Sequence, residues 1–150
     1  MNIQSKTLAK AKELGADYII NSKLEDPVKK ILDLTTTGAD VAVDALGSEI
    51  TSNQSILSLK RRGKHIQLGL LLTEDGLTPM AMARVIGWEL ELIGSHGMAA
   101  VDYPQLLQMI AEGKLHPEKF IKRTISLEDA TNALANMENA VQDGITIIKP

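Results

Sequence analysis

Apolar residues recur along this chain with two different spacings, and the first of them is helical. From about Ser5 to Leu14, apolar side chains fall on one side of a helix, and lysines and a glutamate fill the rest. Gly15 follows and suits a left-handed C-cap. A second helix is predicted to begin at Asp26, the N-cap residue, with Pro27 in its first turn.

The second spacing is a short, continuous apolar run, which is typical of a strand buried on both faces. Four such runs are predicted as strands: residues 18–20, 41–43, 65–68 and 90–93. Two more helices lie between them; one continues to about Arg61 and is closed by Gly63, and the other spans about residues 79–87. Strands and helices that alternate this closely predict an α/β fold, a doubly wound parallel sheet with helices on both faces.

The pattern changes in the last third of the chain. A helix is predicted to begin at Asp102 and Pro104 and to end at Gly113. A strand over residues 120–125, a helix with Ser126 as its N-cap, and a final strand over residues 144–148 complete the chain. We therefore divide the chain into residues 1–98, the alternating part, and residues 99–150, an α+β segment.

The ends of the predicted strands are the candidate functional site. In open α/β sheets, ligands bind beyond the carboxyl ends of the strands. Residues 44–48, 69–72 and 94–97 follow three strands, and all are small and contain glycine, which permits close approach of a ligand to the backbone. Asp44 could act as a catalytic acid, but a carboxylate that orders the following turn is the favoured interpretation.

The three histidines do not form a metal motif, because none is followed by a histidine or a carboxylate three or four residues later. His65 is predicted to be a surface residue at the start of a strand, and His116, before Pro117, a loop residue. His96 lies between two glycines at a strand end, where a ligand-side role and a structural turn are both open.

Two groups of charges have plain structural explanations. Glu89 and Glu91 would share one face of a strand, and the adjacent Glu128 and Asp129 would diverge on a helix, so both pairs are interpreted as solvated. The basic run at residues 60–62 is interpreted as the end of a helix, where cations interact favourably with the helix dipole.

Composition excludes several functions. The 150 residues carry a net charge of -3, which gives no electrostatic footprint for nucleic acid or an anionic membrane, and no apolar run reaches the ~20 residues of a bilayer span. Cysteine is absent, which excludes disulfides and cysteine-ligated zinc and is consistent with a reducing cytoplasm. Neither a G-x-G-x-x-G motif nor a P-loop occurs.

Four blocks of sequence nevertheless resemble a known family. Residues 11–17, 38–47, 63–70 and 94–98 follow the order and spacing of zinc-type alcohol dehydrogenases of the medium-chain dehydrogenase/reductase superfamily. The resemblance implies that residues 1–98 are a partial nicotinamide-cofactor-binding domain, an incomplete Rossmann-like parallel sheet. It also implies that residues 99–150 form a C-terminal α+β segment that returns to a catalytic domain.

The resemblance implies that the chain is the C-terminal part of an enzyme that moves a hydride between an alcohol and NAD or NADP. An N-terminal catalytic domain would supply the zinc ligands, and the glycine-rich turn would also lie before Met1. No catalytic or metal-ligating residue is assigned in this chain. We expect it to be inactive alone and to bind cofactor weakly or not at all.

Cofactor contacts carry over from the family residue by residue. The matching positions are Asn2 at the adenosine ribose, Ala45 and Leu46 at the adenosine half, Leu68, Gly69 and Leu70 near the nicotinamide, and Ser95 and His96 near the carboxamide. The family usually places an acid at the first of these positions, and asparagine lacks the charge that helps to exclude a 2′-phosphate. The choice between NAD and NADP therefore stays open.

The resemblance also implies a partner. The strand from Leu90 to Ile93 lies where relatives pair edge to edge, and an unpaired apolar edge favours such pairing, so a homo-oligomer is expected. The alternative hypothesis is a free-standing, non-catalytic module for dimerisation or cofactor binding.

Overall fold

The computed structural model describes residues 5–137 and 144–150, and the chain divides into two compact units, residues 1–97 and 98–150. The elements of the first unit are α1 (Ser5–Glu13), α2 (Pro27–Thr35), β1 (Ala39–Asp44), α3 (Glu49–Leu57), β2 (Leu59–Gln67), α4 (Met82–Trp88) and β3 (Glu91–Gly94). The strands form one sheet in the order β1-β2-β3, and both neighbouring pairs are parallel. The predicted α/β class with a parallel sheet is confirmed.

The first two helices form where their capping residues predict. Gly15 follows α1 with a φ of 108°, in the left-handed region that favours glycine. The side chain of Asp26 accepts hydrogen bonds from the backbone N–H groups of Val28 and Lys29, at 2.9 and 3.2 Å. Two of the N–H groups that a helix start leaves unpaired are thereby satisfied at the beginning of α2.

The strand predicted over residues 18–20 does not form. Tyr18 is 69% exposed, Ile19 is also exposed, and no ladder hydrogen bonds join this run to β1. A three-residue apolar run cannot make a strand by itself, because a strand needs a neighbour for its backbone groups. The prediction was wrong because apolarity alone does not supply that neighbour.

The helix predicted to reach Arg61 ends at Leu57, and residues 59–61 belong to β2. Ser58 ends α3, and its hydroxyl donates to the backbone oxygen of Gln54 at 2.6 Å. Leu59 then turns into the core and is fully buried. Gly63 lies inside β2 and does not close a helix, so the predicted boundary was wrong.

The basic run at residues 60–62 lies on an irregular part of β2, and its interpretation as a helix end was wrong. The register against β1 shifts there, and Arg62 adopts a φ of 60°. Lys60 pairs with Asp40, and Arg62 pairs with Glu89 at 2.9 Å. The side chain of Arg61 donates to the carbonyl of Gly87 at 3.0 Å. Neighbouring elements, and not a helix dipole, therefore hold these cations.

The core of the first unit lies where α3 and α4 pack on the sheet. Its buried members are Ile56, Leu59 and Leu90, with Ala42, Met80, Ala81, Val85 and Trp88 packed against them. Val41 and Val43 share the other face of β1 and are about half exposed. The expectation that this strand is covered on both faces is therefore not met within the described residues.

Helix α4 begins three residues later than predicted, and α3 explains the delay. The side-chain amide of Asn53 donates to the carbonyl of Pro79 at 3.0 Å and accepts from the backbone N–H of Ala81 at 2.7 Å. These two bonds hold residues 79–81 in a non-helical path. The guanidinium of Arg84 then stacks over the Trp88 ring at 3.2 Å from its centroid.

The second unit contains short elements and little core. They are a 3-10 turn (Ala100–Asp102), α5 (Tyr103–Ala111), a second 3-10 turn (Pro117–Phe120), β4 (Ile121–Ser126), α6 (Leu127–Ala135) and β5 (Ile145–Lys149). Strands β4 and β5 pair in parallel, as a two-stranded sheet. The hydroxyl of Ser126 accepts from the backbone N–H of Asp129 at 3.3 Å, which confirms the predicted N-cap. Among its described residues, Ala130 is the only buried apolar residue.

Across the described residues of both units, no helix has the length and apolar character that a bilayer crossing requires.

Candidate functional site

The turn after β1 is organised by the side chain of Asp44. This carboxylate is almost completely buried, and its Oδ1 accepts from the backbone N–H groups of Leu46 and Gly47, at 3.0 and 3.2 Å. Such a loop closed by a carboxylate is an Asx turn, in which the side chain fixes the path of the following residues. The interpretation of Asp44 as the residue that orders this turn is confirmed.

The end of β2 is bonded directly to the same turn. The backbone carbonyl of Asp44 accepts from the N–H groups of Leu68 and Gly69, both at 2.9 Å. A Cβ on Gly47 would lie 2.7 Å from the carbonyl carbon of Gly69, and a Cβ on Gly69 would lie 2.7 Å from the Cα of Gly47. The two turns therefore pack backbone to backbone, and neither tolerates a side chain at the contact.

Gln67, the last residue of β2, links these two turns through its side chain. Its Nε2 donates to Oδ2 of Asp44 at 2.9 Å and to the carbonyl of Gly69 at 2.8 Å. Its Oε1 lies 2.9 Å from Nε2 of His65. Both amide hydrogens and the amide oxygen of Gln67 are thereby used within the strand-end region.

His65 continues the same network toward α3. Its Nδ1 lies 2.8 Å from the hydroxyl of Ser55. Because Oε1 of Gln67 can only accept, Nε2 of His65 is assigned the hydrogen, and Nδ1 then accepts from Ser55 in the neutral ring. His65 is 1% exposed, so the prediction that it is a surface residue was wrong.

Burial and hydrogen bonding act in opposite directions on Asp44. Burial raises the pKa of this carboxyl, but hydrogen bonds donated by Gln67, Gly47, Leu46 and Thr51 outweigh burial, so the pKa lies below its ordinary value. Asp44 is therefore ionised at neutral pH. Among the described residues no cation pairs with it, and hydrogen bonds alone stabilise its negative charge.

The end of β3 joins this arrangement through one bond. The backbone N–H of Ser95 donates to the carbonyl of Gln67 at 3.0 Å. His96 is exposed beyond it, and Gly97 adopts a φ of 61°. Open space surrounds the positions where Cβ atoms would stand on Gly94 and Gly97. The three predicted strand-end segments thus lie at one edge of the sheet.

The predicted site residues that the structure describes all lie at this edge. Ala45, Leu46, Leu68, Leu70, Ser95 and His96 are exposed, and Gly69 is partly buried. Asn2 lies outside the described residues. Leu46, Leu68 and Leu70 present apolar surface to solvent at the carboxyl ends of two neighbouring strands, where an α/β sheet takes its ligand.

Sequence reasoning missed Gln67, His65 and Ser55. A signal was present, because two polar residues two positions apart, His65 and Gln67, interrupt an apolar run and must share one face of a strand. Their partner on α3 carried no comparable signal, since a serine in a helix most often faces solvent or its own backbone.

Both pairs of acidic residues are exposed, as expected, but Glu89 ends α4 with a φ of 53° and does not share a strand face with Glu91. Glu89 pairs with Arg62, and Glu91 pairs with Lys64 at 3.2 Å. Glu128 and Asp129 stand in the first turn of α6. Over residues 5–137 and 144–150, no three His, Cys, Asp or Glu side chains are grouped to hold a metal ion.

Comparison with known proteins places this fold in a family. The sequence profile named zinc-binding dehydrogenase matches residues 1–112. The NAD-dependent alcohol dehydrogenase of Sulfurisphaera tokodaii is 31% identical over 152 residues, which cover 100% of this chain and 42% of the relative. The chain thus spans about two fifths of the length of the curated relatives it matches.

Solved structures contain the same fold. The alcohol dehydrogenase of the hyperthermophilic archaeon Aeropyrum pernix matches 99% of this chain with a TM-score of 0.80 and 27% identity, over 41% of its own length. A Sinorhizobium meliloti protein described as a zinc-binding dehydrogenase, with NADP bound, matches 98% of this chain with a TM-score of 0.88. It is 24% identical over 43% of its own length, a similarity of fold.

Proposed function

This chain belongs to the zinc-binding dehydrogenase family, and from that premise we propose that its strand ends bind the nicotinamide cofactor of an alcohol dehydrogenase. The chain would be the C-terminal, cofactor-domain part of that enzyme. One observation carries the proposal: the turns after β1 and β2 are bonded to one another and together present exposed leucines at the carboxyl edge of a parallel sheet.

The side chains at this edge suit a nicotinamide dinucleotide. Ala45 and Leu46 would contact the adenosine half, and Leu68 and Leu70 would pack against the nicotinamide ring, because flat rings bind well on apolar surface. Gly69 keeps the backbone between the two leucines close to the first turn.

The segment after β3 would stand near the carboxamide of the cofactor, with Ser95 and His96 beside it. The backbone N–H of Ser95 is already donated to Gln67. A carboxamide would therefore bond to other polar groups of this segment. When bound, the cofactor supplies hydride transfer between its nicotinamide ring and the carbon of an alcohol or an aldehyde.

Zinc does not fit this part of the protein. Among the described residues, His65 is held inside a hydrogen-bond network and no group of three ligating side chains occurs. We propose that the zinc site of the enzyme lies in a catalytic domain outside this chain. A reducing cytoplasm is the proposed location, since cysteine is absent from the chain.

The test is a titration of the chain with NADH and, separately, NADPH, followed by nicotinamide fluorescence. The relative from Sulfurisphaera tokodaii is NAD-dependent, so NADH is the first probe. We expect weak but saturable binding that Leu70→Asp removes. Leu134→Asp is the matched control, because Leu134 lies on α6 and is 61% exposed against 60% for Leu70. Equal binding by the two variants, or none by the unchanged chain, would refute the proposal.

A second role is favoured by the edge of the sheet. In the described part of the chain, β3 has no strand on its outer side, and Leu92 and Ile93 are exposed. We propose that two copies pair along the edge that runs from Leu90 to Ile93, as an edge-to-edge homodimer. The same pairing is expected under the alternative hypothesis of a free-standing, non-catalytic dimerisation module.

Light scattering on the purified chain tests this pairing. A dimer is expected, and Ile93→Lys should convert it to a monomer, because a charge on the edge opposes pairing. Ile19→Lys is the control, since Ile19 is as exposed but lies outside the sheet. A monomeric unchanged chain at micromolar concentration would exclude the homodimer.

A further inference from the structure

Gln67 occupies the position at which the two turns of the site are joined. Its side-chain Nε2 spans from Oδ2 of Asp44, on the turn after β1, to the carbonyl of Gly69, on the turn after β2. Asp44 in turn holds the N–H groups of Leu46 and Gly47. One amide group therefore connects the carboxylate that shapes the first turn with the backbone of the second.

The orientation of that amide is determined by the two acceptors in front of it, and it sets the hydrogen-bond roles of the residues behind it. A glutamine amide can rotate by half a turn and exchange its oxygen for its nitrogen at little steric cost. In the observed orientation, Oε1 of Gln67 accepts from Nε2 of His65, whose hydrogen is assigned from this contact. The hydroxyl of Ser55, which can donate or accept, then donates to Nδ1 of His65. Two residues outside the site thus complete the hydrogen bonding of the Gln67 amide oxygen and limit the movement of this side chain.

The two turns themselves oppose the exchanged orientation of the amide. It would point the amide oxygen at the Asp44 carboxylate and the Gly69 carbonyl, both of which can only accept. A buried carboxylate that loses a donor loses the hydrogen bonding that offsets its burial. The turns that carry Leu46 and Leu70 would then lose their side-chain link and keep only the backbone bonds that join them.

We propose that Gln67 is a positioning residue for cofactor binding, and that His65, itself bonded to Ser55, holds the side chain of Gln67 in place. This inference rests on the proposed function, because it concerns the same strand ends. Gln67 does not touch the cofactor in this scheme. Together with the backbone bonds between the two turns, it holds the turns after β1 and β2 in the arrangement that lets Leu46 and Leu70 contact one dinucleotide.

The experiment compares Gln67→Glu with Gln105→Glu in the 150-residue chain, with NADH as the probe. Gln105 is exposed on α5, in the second unit, and undergoes the same chemical change. Gln67→Glu places a third acceptor against Asp44 and Gly69, so the Kd for NADH should rise about tenfold. Gln105→Glu should bind NADH as the unchanged chain does.

The pH dependence of NADH binding distinguishes a positioning role of Gln67 from a merely structural defect of the Gln67→Glu variant. In the Gln67→Glu variant, a proton shared between the introduced carboxyl group and Asp44 would restore one bond between the turns. The affinity of this variant for NADH should therefore recover as the pH falls within its folded range, whereas that of the unchanged chain should not improve. Ser55→Ala provides a second readout that removes no contact to either turn, and it should raise the Kd about twofold to threefold.

The possible outcomes distinguish the two proposals. No NADH binding by the unchanged chain would overturn the proposed function together with this inference. Binding by the unchanged chain, with equal affinity in Gln67→Glu, would overturn the inference alone. A weakened Gln67→Glu that acid does not restore, with normal binding by Ser55→Ala, would overturn it as well. If Gln67→Glu does not fold, the Ser55→Ala result decides.

Discussion

Gly47 and Gly69 lie backbone to backbone, although they belong to turns that follow different strands, and a Cβ on either would stand 2.7 Å from a backbone carbon of the other. Backbone cannot move aside as a side chain can, so this contact specifies how closely the ends of β1 and β2 approach. The exposed leucines beside the two glycines take their positions from it.

The first prediction concerns this contact. Gly69→Ala should lower the free energy of unfolding by about 2–3 kcal/mol, because the methyl group overlaps the backbone of the first turn. Urea unfolding followed by circular dichroism measures the change. Gly94→Ala is the matched control at the end of β3, where a Cβ meets nothing within 4 Å, and it should be neutral or stabilising by up to about 1 kcal/mol. Equal stability of the two variants would contradict the role of the contact.

The second prediction is a pH dependence that comes from Asp44. Its pKa is lower in the folded chain than in the unfolded chain, so it contributes stability above the unfolded pKa of about 3.9 and loses that contribution as the pH falls through the folded pKa. Asp44→Asn should be less stable at neutral pH, and its stability should change less on acidification.

Urea midpoints measured between neutral pH and about pH 3 test this prediction. Asp17→Asn serves as the comparison, because Asp17 is exposed and lies between α1 and α2, where it adjoins no strand of the described residues. If the acid-induced loss is the same in Asp44→Asn and Asp17→Asn, then the Asp44 carboxylate does not stabilise the turn as inferred.

The third prediction is the tautomer of His65. Nitrogen-15 NMR should find the hydrogen on Nε2 and an unprotonated Nδ1, because Gln67 accepts at one ring nitrogen and Ser55 donates at the other. His96 is exposed and should show averaged signals from both tautomers. A hydrogen found on Nδ1 of neutral His65 would show that the amide of Gln67 is turned the other way.

The fourth prediction is that the chain alone does not oxidise alcohols. Cofactor binding is proposed for its strand ends, but its described residues contain no group of side chains that could hold zinc to polarise the substrate oxygen. Absorbance at the NADH band should not increase with NAD or NADP, primary and secondary alcohols, and added zinc. Turnover that copurifies with the chain and disappears in Leu70→Asp would refute this expectation.

Much of the first unit follows from its sequence because local signals and tertiary structure agree there. The Asp26–Pro27 start of α2, the Gly15 end of α1 and the parallel strands β1 and β3 follow from caps and apolar runs of few residues. The convergence of the three candidate segments at one edge of the sheet follows as well, since it depends only on the alternation of strands and helices.

The failures occur where a segment's partner decides its structure. Residues 18–20 have the composition of a strand, but no neighbour pairs with them among the described residues. Residues 59–61 have helix-compatible side chains, yet the ladder to β1 and the burial of Leu59 place them in a strand. The difference in free energy between the helix and strand propensities of these residues is smaller than the contribution of strand pairing and burial.

The order of the amino acids was sufficient to specify the class of fold, the family and the edge of the sheet that carries the candidate site. It did not show that Gln67 reaches Asp44 and Gly69, or that His65 is buried behind it; the folded chain shows both. Alternation and capping are properties of a few consecutive residues, so they can be recognised before the chain folds. A hydrogen-bond network across two strands and a helix exists only after the backbone has brought distant residues together.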